Sequence, residues 1–475
     1  MKQSVQQLLR DKPVARWSVL VLMASTMLFA YMFVDILSPL KDLLESYKGW
    51  DSESFGRFAG SEMFLNVFFF FLIFAGVILD KMGARRTAIL SGVVMVIGAI
   101  TKYYAVSEAF AGSSLETWFT NNFNLPKTWW NVTPFFEGMP ASAKLASIGF
   151  MIFGCGVEMA GITVSRAIVK WFQGYELAMA MGVEMAIARL GVAAAVLLGP
   201  RIAKIGGIVD ISRPVLLCVV LVLVGLMSFI CFFIMDKKLD DQIGHSTEEK
   251  DDPFKFADLG RLFGSPTFLI VALLCALYYS AIFPFQKYAI NMLQCNLNIS
   301  ADDAGLIFFW FPLGAAAITP FLGNFLDRKG KGASMLMLGA VLMISCHLLF
   351  AFLPHFGGAK FVVAIASIVL LGISFSLVPA ALWPSVPKLV DNKLLGSAYA
   401  VIFWIQNIGL YSFPMIIGAV LASSNRGITD PLKYDYTNPM LLFACLGIAA
   451  LFLGFVLKAM DKKKGYGLEE PNIKK

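Results

Sequence analysis

The sequence predicts an all-α membrane protein of about twelve transmembrane helices, arranged as two pseudo-symmetric six-helix bundles. Three observations predict it: apolar runs of bilayer-spanning length, one strongly polar break near the middle, and a turn motif repeated in both halves. Of 475 residues, 58% are hydrophobic and only 15% charged, whereas a soluble domain carries about 25% charged residues. Mean hydropathy is +0.72. Such a chain lacks the polar surface to stay dissolved.

Apolar runs, divided at charge clusters and at Pro and Gly, give spans at 17–38, 56–79, 87–106, 145–168, 177–199 and 213–235, then 266–291, 303–326, 333–353, 360–386, 397–420 and 437–459. The first run, Trp17 to Ser38, has no small-residue cleavage site and reads as a retained helix, not a signal peptide. The polar break from Asp236 to Arg261 contains "DKKLDDQIGHSTEEKDD" and leaves six spans on either side. The expected organisation is an N-terminal bundle (1–235), a solvated cytoplasmic linker (236–264), a C-terminal bundle (265–460) and a basic cytoplasmic tail (461–475).

The net charge of +7 lies in short segments between apolar runs, as membrane topology requires, so no nucleic-acid partner is expected. With the N-terminus inside, inner segments carry roughly two dozen basic residues and outer loops about ten, which places both termini in the cytoplasm. The segment from Ser107 to Ala143 becomes the largest outer loop. Its Trp118, Trp129 and Trp130 point to a piece lying at the membrane interface. Sequons at Asn131 and Asn298 also fall outside. The seven cysteines are scattered without a CxxC pair, and His245, His347 and His355 are far apart. Neither a metal site nor a cofactor is therefore expected; His347 reads as a packing residue.

The loop after the second span reads "GVILDKMGARR" (76–86), and the loop after the eighth reads "GNFLDRKGKG" (323–332). Both share G-x-x-x-D-[KR]-x-G, with Gly76, Asp80 and Gly83 followed by Arg85 and Arg86, and Gly323, Asp327 and Gly330 followed by Lys331. Glycines permit a tight turn, basic residues hold it at the headgroups, and each Asp is expected to accept amides at a neighbouring helix N-terminus. Such a contact would close the inner side in one state and break in the other. One copy reads as a topology-setting turn, but two in register do not. On this duplicated motif the chain resembles the major facilitator superfamily over nearly its whole length. The resemblance implies the major facilitator fold, with two bundles rocking about a central site.

Ionisable residues within the spans are Asp35, Arg57, Glu62, Lys102, Glu158, Arg166, Glu184, Arg189 and Lys287. At mid-bilayer each costs about 2.5–3.5 kcal/mol, so each needs a partner or a water-filled cavity. Arg57, Glu62 and Lys102 fall near outer helix ends, within snorkelling reach. Arg166 falls near the Asp80 turn. Glu158 and Arg189 lie roughly 18–20 Å from the inner ends of adjacent helices, so they share one depth. They are placed either to pair with each other or to clamp a zwitterion, and Glu184 is an alternative partner for Arg189.

The second half carries "LYYSAIFPFQKY" (277–288), "LVPAALWPSVP" (377–387) and "FWIQNIGLYSFP" (403–414), with Pro284, Pro379, Pro384 and Pro414 as kink sites. Tyr278, Tyr279, Trp383, Trp404, Gln406 and Asn407 are candidate cavity lining, with helix packing as the other reading of any single aromatic. Tyr31, Asp35 and Lys287, from the equivalent first and seventh helices, complete the candidate set.

Three stretches (156–191, 278–285 and 381–410) resemble the lysosomal dipeptide-transporter group, the major facilitator superfamily domain-containing protein 1 family. The resemblance implies a passive dipeptide carrier, with an acid at Glu158 and an arginine at Arg189 holding the peptide termini. The leader "QQLLRDKP" has a Leu-Leu pair without an acid just before it, so the expected membrane is the cytoplasmic one of a bacterium, or the lysosomal one in a eukaryote. A transporter working as a monomer on a small-molecule substrate in a lipid bilayer is the leading reading; it leaves room for an accessory membrane protein. The alternatives are an organic-anion or sugar-acid carrier and a non-transporting receptor or scaffold. No P-loop, zinc spacing or nucleophile motif supports an enzyme.

Overall fold

The computed structural model describes residues 8–128, 130–172, 175–243, 256–391 and 394–471. Gln6 and Gln7 of the leader, Trp129, the linker core 244–255 with His245, and the tail end 472–475 lie outside the described residues. The face of the bundle that holds both chain ends is called here the terminal side, and the face carrying residues 107–140 the loop side.

The first crossing, α1 (Pro13–Asp35), starts with proline at the position where a missing N–H costs nothing. It runs through a 3-10 turn (Ser38–Leu40) into α2 (Lys41–Lys48), which ends on Gly49 at φ +67°. The second crossing is three pieces rather than the single span read at 56–79: α3 (Ser52–Ser61), α4 (Phe64–Phe68) and α5 (Phe71–Met82). Phe70, at φ +52°, makes the second break. Then come α6 (Ala84–Val106), α7 (Ser114–Asn121) in the loop, α8 (Ala141–Phe172), α9 (Leu177–Ala203) and α10 (Ser212–Ile243). The second bundle comprises α12 (Pro266–Leu297), α13 (Ala301–Lys329), α14 (Gly332–Ala351), α15 (Lys360–Leu382), α17 (Leu395–Ser424) and α18 (Thr437–Lys464), with short α11 (Phe256–Phe263) before it and α16 (Val386–Leu389) before α17. Among the described residues, eleven stretches are long and apolar enough to cross a membrane; the broken α3–α5 run supplies a further crossing from pieces too short to qualify alone.

Much of the polar break is structured. Residues 236–243 continue α10, and Asp236 is buried, accepting from Lys170 Nζ at 3.0 Å and Trp171 Nε1 at 2.9 Å. The tail is likewise docked. Lys331 N donates to Glu469 O at 2.9 Å, Gly332 N to Leu468 O at 3.0 Å, and the Glu469 carboxylate takes Ser334 N and Oγ at 2.7 and 2.8 Å. In the 107–140 segment, Lys144 Nζ gathers Phe119 O, Asn122 O and Asn124 Oδ1 within 3.0 Å. Trp118 and Trp130 are exposed there. Asn131 Nδ2 donates to Pro126 O and Phe135 O, so this sequon asparagine is spent on holding its own turn.

The halves meet over the loop side and the middle of the membrane. Glycines set the spacing between α3 and α17: a Cβ on Gly56 would fall 2.4 Å from Pro414 O, and one on Gly60 2.4 Å from Tyr411 O. Gly305 of α13 approaches Val196 O of α9 in the same way, at 2.5 Å. Gly56→Ala should therefore overpack this seam, destabilising the protein by about 1–3 kcal/mol. Thermal melting of the purified chain checks this, with Gly182→Ala, whose Cβ meets nothing within 4 Å, unchanged as the comparison.

Candidate functional site

Glu158 projects from α8 and Arg189 from α9, each roughly 20 Å along its helix from the turn between them, and both partly accessible. Among the described residues no ion pair joins Arg189 to Glu158 or Glu184. Its Nη1 instead donates to Thr319 Oγ1 of α13 at 3.2 Å, and its guanidinium lies 4.8 Å above the Phe375 ring of α15. Phe375 meets Phe283 edge-on at 5.5 Å, and Phe283 stacks on Tyr279 at 5.4 Å. An aromatic wall from α12 and α15 thus stands beside the arginine. Residues from both bundles converge here: Glu158, Glu184, Glu62 and Tyr279 lie within electrostatic reach of Tyr31 of α1, and so does the Arg189 guanidinium.

Glu62, Thr319, Phe283 and Phe375 are members that sequence reasoning missed. Glu62 sits at the first break of the second crossing, its backbone against α8 at Gly154, and its carboxylate is in the field of Glu158. It does not snorkel. Nor does Lys102, which is fully buried: its Nζ donates to Phe33 O at 3.1 Å and touches the faces of Phe33 and Phe150 at 4.3 and 4.1 Å.

Several expected cavity residues lie elsewhere. Asp35 and Lys287 are buried and bonded to each other at 2.8 Å across the two bundles, with Gln286 Nε2 on the other Asp35 oxygen at 2.7 Å. Their position in the seam comes from the loop-side tips of α1 and α12 packing together. Tyr278 is buried within the second bundle, its hydroxyl on Leu336 O. Gln406 accepts from Cys275 Sγ at 3.3 Å, and Asn407 is buried beside it in sequence on α17. Trp383 packs on Phe403 and Tyr399. Trp404 reaches the other bundle, where its Nε1 donates to Val67 O at 3.0 Å and its ring stacks on Phe70. It braces the break in the second crossing. His347 stacks on Phe443 at 5.1 Å and meets Phe285 edge-on at 5.2 Å.

At the repeated turns, Asp80 pairs with Arg166 at 2.6 Å instead of with helix-terminal amides, and Arg85 pairs with Asp240 at 2.7 Å. Arg86 is exposed. Gly83 and Gly330 take positive φ, +76° and +72°, as the tight turns require, whereas Gly76 and Gly323 face open space. Lys331 and Gly330 are held by the tail, as is Asp327's turn by its neighbours; Asp327 itself is engaged. A separate cavity of about 540 Å³ lies between α13 and α15, lined by apolar residues including Leu306, Trp310, Ile365 and Val369. Those four are exposed on the outer surface, and none of the candidate residues lines it.

A family model described as Major Facilitator Superfamily matches residues 23–294 and 288–472. The chain is 27% identical over 331 residues to the lysosomal dipeptide transporter MFSD1 of Danio rerio, covering 68% of each chain. It is 28% identical over 286 residues to the Homo sapiens protein of the same name, covering 59% of this chain and 60% of that one. Its fold is similar to that of the nucleoside transporter NupG, with a TM-score of 0.68 at 14% identity over 94% of this chain and 99% of that chain. It is also similar to the D-xylose-proton symporter, with a TM-score of 0.65 at 15% identity over 92% and 97%.

Because Asp35 and Lys287 are buried together, removing one partner strands the other's charge, at a cost of about 3–5 kcal/mol, while removing both costs far less. Asp35→Ala should melt well below the parent protein, and Asp35→Leu combined with Lys287→Met should recover most of the loss. Equal melting temperatures for the single and double variants would contradict the pairing.

Proposed function

The chain belongs to the major facilitator superfamily, and from that premise we propose that it carries small zwitterions, dipeptides first, across a membrane by alternating access. The observation that carries the reading is a pair of opposite charges, Glu158 and Arg189, at one depth on neighbouring helices and not spent on each other. A peptide ammonium would sit at Glu158, with Glu62 deepening the negative potential. A peptide carboxylate would take Arg189 bidentately, displacing the single bond to Thr319. Peptide side chains would lie along Tyr279, Phe283 and Phe375, whose faces accept aliphatic and aromatic groups alike.

The MFSD1 relatives are named as dipeptide transporters, which supports the substrate class. An anion carrier built on the same scaffold is the second reading. The Glu158 carboxylate, in the field of Glu62 and not paired with Arg189, weighs against it, because a lone anion would leave it without a counter-charge. The bias of basic residues favours a cytoplasmic terminal side, and the conformation described, closed over the loop side, would then be the one that faces inward. Rocking the bundles would then separate α3 from α17, and the Asp80 and Asp327 turns would gate the terminal side. A bacterial cytoplasmic membrane or a lysosomal membrane fits this orientation.

Thermal shift with the purified chain tests the proposal, since a ligand that binds the native state raises the melting temperature. Dipeptides should stabilise it, and blocking either peptide terminus should abolish the shift. Glu158→Gln should weaken dipeptide binding by roughly 10–100-fold, the worth of one charge-assisted hydrogen bond. Stabilisation by carboxylates that lack an amine, unchanged in Glu158→Gln, would overturn the dipeptide reading in favour of the anion carrier.

A further inference from the structure

On the loop side, three consecutive backbone carbonyls are gripped from both bundles. Arg57 of α3 donates from Nη1 to Asn131 O and to Thr133 O, each at 2.6 Å, and Glu53, one turn earlier, lies 4.0 Å from the guanidinium. The carbonyl between them, Val132 O, turns the other way and accepts the hydroxyl of Tyr411 from α17. Arg57 and Tyr411 lie within electrostatic reach of each other, as groups on opposite edges of one short strap must. The strap's own side chains set its shape. Asn131 Oδ1 takes Thr133 N at 3.1 Å and Thr133 Oγ1 at 2.6 Å, while the Asn131 amide donates to Pro126 O and Phe135 O. The Asn-Val-Thr triplet is thereby a bridge across the seam where α3 and α17 approach.

The two grips are unequal. Bonds from a guanidinium are charge-assisted and roughly twice as strong as neutral ones, and Arg57 makes two against one from the phenol. The segment around the strap is also tied to the first bundle, through Lys127 Nζ on Glu53 at 2.7 Å and Lys144 of α8 on Phe119 O and Asn122 O. Tyr411 belongs to the second bundle, yet its surroundings belong to the first. Phe64 and Phe68 of α4 meet its ring at 5.8 and 5.4 Å, and a Cβ on Gly60 of α3 would fall 2.4 Å from its carbonyl oxygen. At 3% exposed, Tyr411 is a tooth of one bundle seated in a socket of the other, and the strap closes that socket.

We propose that residues 131–133 and Tyr411 form the latch of the loop-side gate: the strap travels with the first bundle, and the loop side opens when the Tyr411 hydroxyl leaves Val132 O. A phenol buried in an apolar socket needs an acceptor, and Val132 O supplies it only while α3 and α17 are together. Once they part, both groups are free to meet water, so the latch is worth no more than one neutral hydrogen bond. A bias of that size holds the gate shut without locking it, as a carrier that opens in every cycle requires. This role in transport rests on the alternating-access reading, whereas the latch itself does not.

Labelling of a cysteine hidden in the seam tests the latch on the purified full chain without solute, so its failure is separate from a failure of the dipeptide reading. Ser52 is 2% exposed, its hydroxyl is unbonded, and a Cβ on Gly418 of α17 would fall 2.4 Å from its carbonyl oxygen. Ser52→Cys therefore puts a thiol where separation of α3 from α17 uncovers it. The exposed Cys231 and Cys445 are replaced by serine. The rate of reaction with a charged maleimide then follows the open fraction, even when that fraction is small. Tyr411→Phe, which keeps the ring in its socket and removes the hydroxyl alone, should raise the rate about 2–10-fold, the worth of one neutral hydrogen bond. Arg57→Met, which leaves Glu53 its pairing with Lys127, should raise it as well. Adding Tyr411→Phe to Arg57→Met should change little further, since both act through one strap. Tyr278→Phe, which removes a hydroxyl bonded to a carbonyl inside the second bundle, should leave the rate at the parent value. A rate unchanged by Tyr411→Phe, or effects of Tyr411→Phe and Arg57→Met that simply multiply, would overturn the proposal.

Discussion

A bilayer offers no water to a stranded polar group, so the charged seam on the loop side governs how the two bundles sit. Asp35 and Lys287 satisfy each other only while the tips of α1 and α12 are in contact. Around that bridge the backbones close to glycine distance, α3 on α17 and α9 on α13. The seam thus draws the halves together toward the loop side and positions Arg189 of one bundle against Thr319 and Phe375 of the other. A site shared between bundles follows from this arrangement: whatever lies between Glu158 and that aromatic wall touches both bundles.

The same constraint explains the second crossing. Breaking a helix in the membrane frees carbonyls that need donors. Here Val67 O is met by the indole of Trp404 from the opposite bundle, and Phe70 is pinned under the same ring. The first break turns Glu62 toward Glu158. Irregular backbone therefore brings Glu62 into the field of Glu158 at one point and is braced by its partner bundle at the other.

Much of the fold was legible because hydropathy and charge are read locally. Spanning runs, the polar break near Asp236 and the paired Asp80 and Asp327 turns all declare themselves within short windows. The break at Phe70 does not, since "FFFFLIF" is a continuous apolar run whose interruption is compensated by Trp404, far along the chain. The matched depth of Glu158 and Arg189 was readable because a short turn joins their helices. Glu62 and Lys102 were misread as snorkelling because depth alone reveals neither the Glu158 carboxylate near Glu62 nor the Phe33, Phe58 and Phe150 rings that close over Lys102 from other helices. Tyr278, Gln406 and Asn407 lie on helices that are apolar nearly all round, so no stripe tells a cavity face from a packed one.

Uptake of a labelled dipeptide into liposomes containing the purified chain tests the central claim most directly, namely that Glu158 and Arg189 hold the two ends of a transported zwitterion. The account predicts saturable uptake, competed by free dipeptides and not by peptides blocked at either terminus, and lost in both Glu158→Gln and Arg189→Gln. Uptake that blocked peptides compete equally well, or that survives both substitutions, would contradict it.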